Sequence, residues 1–136
     1  MKDKIRILET YKSVKEISKI IEPDHKLTAN DTFYHTKKDP NICVNLVKQL
    51  DNMILNEFND DNTIWYEKTR TDFKDNVLEK NNETHLVFYL DKVRLSGSHE
   101  YRYKYLGAFQ LEKMYEQKAY KVREWHYITG FDVIEK

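Results

Sequence analysis

Between His99 and Phe109 the chain reads HEYRYKYLGAF, with Tyr101, Tyr103 and Tyr105 alternating with Arg102 and Lys104. In an extended strand alternate residues share a face, so this stretch predicts a ribbon with three rings on one side and two cations on the other. Two uses fit. Bases of a nucleic acid can stack on the rings while the cations meet phosphates, or the aromatic side can pack inward and the charged side face water. The neighbourhood is basic: from Lys92 to Glu124, Lys92, Arg94, Arg102, Lys104, Lys113, Lys118, Lys121 and Arg123 outnumber Glu100, Glu112, Glu116 and Glu124. If neighbouring strands bring Arg94, Arg102, Lys104, Lys121 and Arg123 to one surface, that surface can neutralise a few phosphates with modest, salt-dependent affinity.

Other chemistries have thinner support. Asp91, followed later by Glu116-Gln117-Lys118, imitates the acidic residue plus Glu-x-Lys of metal-dependent nucleases, in which carboxylates hold a hard cation. His25, His35, His85, His99 and His126 are widely spread, so no local His or Cys/His set suggests zinc, and neither a metal nor a cofactor is expected. Phosphate-cradling loops cannot be built from Gly97, Gly107 and Gly130.

The elements that must position these residues follow from composition and periodicity. The 136 residues suit one domain, and 40% hydrophobic with 34% charged residues supports a compact core. Equal numbers of basic and acidic residues, 23 each, remove any whole-molecule attraction to nucleic acid or membrane, so charge must act locally. A single cysteine, Cys43, and a charged N-terminus without a signal-peptide core predict a reducing, cytoplasmic setting. No apolar run approaches the roughly 20 residues needed to span a bilayer, so no membrane partner is expected.

Apolar residues every three or four positions predict a helix over Lys4 to Glu22, ended by Pro23. A second helix is predicted from Asp39-Pro40 to Phe58, with Cys43, Leu46, Val47, Leu50, Met53, Ile54 and Phe58 on its core face. Between them DTFYHT has the composition of a short strand. From Thr63 the segments TIWYEKT, THLVFYLDKVRL, YRYKYLGAF and AYKVREWHYI read as strands, with a short helix or loop around Phe73, Val77 and Leu78. Ser96-Gly97-Ser98 predicts an antiparallel hairpin over residues 85–111. Gly107, inside an aromatic strand, predicts a bulge, a barrel corner or a close backbone approach.

Asn76-Val77-Leu78, His85-Leu86-Val87-Phe88, Tyr103-Lys104-Tyr105-Leu106-Gly107-Ala108-Phe109 and the aromatic strand with Trp125 together resemble the PUA-like superfamily. The likeness covers about residues 63–128 and is greatest to the SRA-like and EVE-like modules of modification-dependent restriction systems. It implies a small curved β-barrel that takes a modified base out of the duplex into an aromatic pocket. Carried onto this sequence, the base-pocket candidates are Trp65, Tyr66, Tyr103, Tyr105 and Trp125, with Asn76 for polar contact; a core role for each ring stays open.

The expectation is thus an α+β chain, with N-terminal helices in residues 1–60 packed on a curved, mainly antiparallel PUA-like sheet in residues 61–136. Its expected function is noncatalytic reading of a modified base in DNA, alone or beside a separate nuclease. The alternatives are a phage or mobile-element protein that binds and inhibits a host protein through aromatic hot spots, and a small metal-dependent nuclease.

Overall fold

The computed structural model describes residues 3–51, 53–72 and 82–136. In chain order the elements are β1 (Lys4–Arg6), β2 (Thr10–Tyr11), α1 (Val14–Ile20), β3 (Phe33–His35), β4 (Ile42–Val47), β5 (Leu50–Asp51), β6 (Ile54–Phe58), β7 (Ile64–Arg70), β8 (Thr84–Leu95), β9 (Ser98–Gln117), β10 (Tyr120–Ile128) and β11 (Val133–Glu135). The strands predicted from Thr63 onward and in DTFYHT form as expected. Ser96 and Gly97 both take positive φ, 48° and 86°, and reverse the chain between β8 and β9 in two residues.

The two predicted N-terminal helices do not form as such. Only Val14–Ile20 of the first is helical, started by Ser13, whose hydroxyl accepts a hydrogen bond from the Glu16 backbone N–H. The residues before it pair instead: β1 with β11 and β2 with β9. The second predicted helix is three strands, β4 to β6. Its periodicity misleads because β4 is buried on both faces, with Val44 and Leu46 on one side and Cys43 and Val47 on the other. A strand covered on both sides reads as a continuous apolar run, and here it pairs parallel to β8, as such strands do.

The principal sheet runs β3-β4-β8-β9-β10-β7-β6-β5, and β2 adds to β9 off this path. In that order β4 and β5 stand six places apart, about 29 Å in a flat sheet. Only Lys48 and Gln49 join them, a link that reaches about 11 Å. The sheet must therefore roll up, and it forms a curled half-barrel. Asn56 of β6 fastens the link: its backbone N–H donates to Gln49 O and its side-chain Nδ2 to Lys48 O, both at 2.8 Å.

Rolling gives the sheet two faces. The concave one holds Val47, Trp65, Val87, Leu106, Phe109 and Trp125, with Phe58 and Tyr89 packed on them. The convex one holds Tyr34, Val44, Leu86, Phe88, Tyr105 and Ala108, and Ile5, Tyr11, Ile17 and Ile20 from β1, β2 and α1 cover it. Gly107 marks a bulge, since Val87 opposes Gly107 while Phe88 opposes Tyr105, leaving Leu106 as the extra residue.

At Gly107 φ is +105°, and an added Cβ would stand 2.9 Å from Tyr127 Cε2 and 3.1 Å from Ile7 Cδ1. Gly107→Ala is expected to cost about 1–3 kcal/mol of stability, read as a lower urea midpoint; an unchanged midpoint would contradict the strain assigned to this position. Tyr105→Phe removes the 2.6 Å hydrogen bond from the Tyr105 hydroxyl to Phe131 O, which ties the C-terminal segment to β9. It is expected to lower stability by about 1 kcal/mol, measured in the same way.

Candidate nucleic-acid interface

The ring-bearing side of HEYRYKYLGAF faces the convex core. Tyr105 is fully buried there, Tyr103 is half-buried against the same cluster, and Tyr101 is exposed near the hairpin tip. Burial pushes the hydroxyl pKa values of Tyr103 and Tyr105 up, so both stay protonated across the neutral range. Arg102 and Lys104 project from the opposite, concave side of the sheet, where Lys104 Nζ lies 3.0 Å from Asp91 of β8. The alternation is as expected; it is the cationic side that looks into the barrel.

Trp65 and Trp125, opposite each other on β7 and β10, fill the concave interior. Their rings stack with centroids 5.2 Å apart, and both are almost fully buried. Phe58 stacks on Trp65 at 6.1 Å, and His85 lies against Trp125 at 4.4 Å. Phe58, Trp65 and Trp125 form a stacked column across β6, β7 and β10, and His85 lies beside both indoles, 6.2 Å from Trp65. Each indole N–H is engaged, Trp65 Nε1 with Asn56 Oδ1 at 2.9 Å and Trp125 Nε1 with Glu67 Oε1 at 3.3 Å. Tyr66, the residue after Trp65 on β7, points to the other face, and Asn76 lies outside the described residues. The structure therefore does not gather the five described base-pocket candidates around one opening.

It opens elsewhere. At the Phe58 end of the column a pocket of about 360 Å³ is lined by Gln49, Asn56, Glu57, Phe58, Asn62, Tyr89, Asp91, Lys104 and Leu106. Phe58 and Tyr89 meet edge to face, 5.4 Å between centroids, although they lie on β6 and β8, four strands apart in the sheet order. Only the curl brings them together. Both ends of the Asn56 amide are committed to the wall, Oδ1 to Trp65 and Nδ2 to Lys48. Gln49, Asn62, Asp91 and Lys104 supply polar groups that can face a guest. Burial, then the charge of Asp91, raises the Tyr89 pKa, so its hydroxyl is a donor at neutral pH.

The five predicted phosphate ligands fall into two groups rather than one patch. Arg102 and Lys104 lie near the start of β9; Lys121 and Arg123 lie near the start of β10, with Arg123 opposite Met114 of β9. From Lys104 to Met114 is about 33 Å of extended strand. Arg94 opposes His99, one residue out of phase with the Asp91–Arg102 pair, and so turns to the convex side. Carboxylates partner three of the five: Glu100 with Arg102 at 3.2 Å, Asp91 with Lys104 at 3.0 Å and Glu67 with Arg123 at 3.6 Å. Arg94 and Lys121 are exposed on the β8–β9 and β9–β10 hairpins.

The nuclease arrangement is not assembled. Asp91 opposes Arg102 whereas Glu116 opposes Lys121, which separates the two carboxylates by about 45 Å along β9. The residues that line the pocket were accessible to sequence reasoning only in part. Tyr89 and Asp91 share a strand face by simple alternation, but Phe58 and Gln49 belong to a stretch whose periodicity reads as helix.

No family model matches the sequence, and no match was found among curated proteins. Among solved structures, "The 5-Hydroxymethylcytosine-Specific Restriction Enzyme AbaSI" superposes with a TM-score of 0.72 at 14% identity. The match covers 98% of this chain and 42% of that one, so the chain spans less than half the length of that enzyme. At this identity the likeness establishes a shared fold, carried through almost the whole of the chain.

Proposed function

We propose that this protein is a noncatalytic DNA-binding module of PUA-like architecture that reads a modified base in the pocket beside Phe58 and Tyr89. The observation that carries the reading is that pocket: two aromatic rings and a set of amide, carboxylate and ammonium groups at the open end of a stacked ring column. A flipped base loses its neighbours in the duplex, and stacking against Phe58 or Tyr89 replaces part of that loss. Asp91 and Lys104 supply an acceptor and a donor side by side, which suits a hydroxyl-bearing substituent on a base. The fold shared with an enzyme specific for 5-hydroxymethylcytosine supports the same ligand class. The β8–β9 and β9–β10 hairpins, carrying Arg94 and Lys121, are the candidate arms for the phosphate backbone.

This reading replaces the indoles with Phe58 and Tyr89 as the rings that meet the base. Trp65 and Trp125 support Phe58 from below. Tyr103 and Tyr105 hold β9 against the convex core.

Two mutant phenotypes should separate in fluorescence anisotropy with duplexes carrying plain, methylated or hydroxymethylated cytosine. Phe58→Leu and Tyr89→Leu keep apolar volume but remove a ring. Each is expected to weaken binding to the preferred modified duplex by about 1–3 kcal/mol while leaving binding to plain DNA nearly unchanged. Lys121→Ala is expected to weaken all duplexes alike and to reduce the dependence of affinity on salt by about one counterion. Equal losses on plain and modified duplexes from Tyr89→Leu, or wild-type binding with no preference among the duplexes, would overturn the base-pocket assignment.

A further inference from the structure

Around His85, beside the two indoles, strand pairing brings together side chains that are far apart in sequence. His35 on β3 opposes Cys43 on β4, and Cys43 opposes His85 on β8. Directly paired residues share a face, so an imidazole, a thiol and a second imidazole stand in one row across three adjacent strands. Glu83, two residues before His85, joins them. One ligand atom each from Cys43, Glu83 and His85 lie within 4.8 Å of one another.

The details fit a cation better than a dry polar cluster. His35 Nε2 holds Glu83 Oε1 at 2.7 Å, while Glu83 Oε2 is sealed from solvent without a hydrogen-bond partner. A buried carboxylate oxygen without a partner is costly, and a metal ion would remove that cost. Asn45 Nδ2 lies 3.2 Å from His85 Nδ1. Turning that amide over, so that Oδ1 accepts from Nδ1–H, fixes the tautomer whose Nε2 carries the lone pair, the usual way an outer partner sets a metal-binding histidine. A thiolate and an imidazole beside one carboxylate form a soft, mixed donor set, which favours zinc-like ions over magnesium or calcium.

We propose that Cys43, Glu83 and His85 ligate a divalent transition-metal ion of zinc type, with His35 orienting the Glu83 carboxylate. Binding forms a metal–sulfur bond as the Cys43 thiol releases its proton to solvent, with no change of oxidation state. Three protein ligands would leave one position of a tetrahedral ion open for water. The ion pins β4 to the start of β8.

Cobalt(II) is the probe, because its thiolate complexes give a charge-transfer band in the near ultraviolet. Titrating the purified metal-free protein is expected to develop that band to one equivalent, with zinc displacing cobalt and raising the melting temperature. Cys43→Ser, close to isosteric, is expected to abolish the band and the zinc-dependent stabilisation. Glu83→Gln keeps an oxygen for His35 and is expected to retain a weaker band with affinity reduced at least about tenfold; it serves as the second test if the serine variant does not fold. A folded wild-type protein with no thiolate band and no zinc-dependent stabilisation would overturn the proposal. So would zinc-dependent stabilisation that survives Cys43→Ser, or an affinity that Glu83→Gln leaves unchanged.

Discussion

The fold turns on a two-residue connection. Lys48 and Gln49 join strands that stand six places apart in the sheet, and no flat sheet can satisfy that link. Once the sheet rolls, the concave side becomes an interior, and side chains from β6, β7, β8 and β10 meet there although other strands lie between them. Phe58, Trp65 and Trp125 are neighbours by strand pairing alone, but the contacts of Phe58 with Tyr89 and Phe109 and of His85 with both indoles are the result of the roll. Each ring contact adds about 0.5–1.5 kcal/mol beyond the area it buries, so the contacts that cross intervening strands resist unrolling.

The ring column also organises the chemistry. Its Phe58 end opens on the pocket bounded by Tyr89, Asp91 and Lys104; His85, beside its two indoles, meets Cys43 and Glu83. The bulge at Leu106 and Gly107 lets β9 bend without exchanging its two faces, so that Tyr105 stays in the convex core while Lys104 and Leu106 line the pocket. A base received beside Phe58 would extend a stack that the protein has already built, and little side-chain reordering would accompany its entry.

The C-terminal half of the fold was legible in the sequence because each strand announces itself locally. β8 and β9 are long, rich in aromatic and β-branched residues, and joined by a Ser-Gly reversal; Gly107 marked the bulge. The segment from Ile42 to Phe58 was not legible, for a physical reason. A parallel strand buried on both faces has no alternation, and its run of apolar residues meets helical spacing as easily as extended spacing. That one ambiguity hid Phe58 and Gln49 from the pocket. The row of His35, Cys43 and His85 was hidden differently: no spacing in the chain foretells which strands will be neighbours, and the row exists only after β3, β4 and β8 pair. Tyr103 and Tyr105 were correctly read as sharing a face, but alternation does not say which face is the interior.

The most direct test of base reading in the pocket is the fluorescence of 2-aminopurine placed next to the modified cytosine in a duplex, recorded as the protein is added at saturating concentration. A base drawn out of the stack toward Phe58 and Tyr89 leaves its neighbour unstacked. A rise in fluorescence is expected for the preferred modified duplex and none for plain DNA. Saturated binding to the modified duplex with no change in fluorescence, or the same rise on plain DNA, would contradict it.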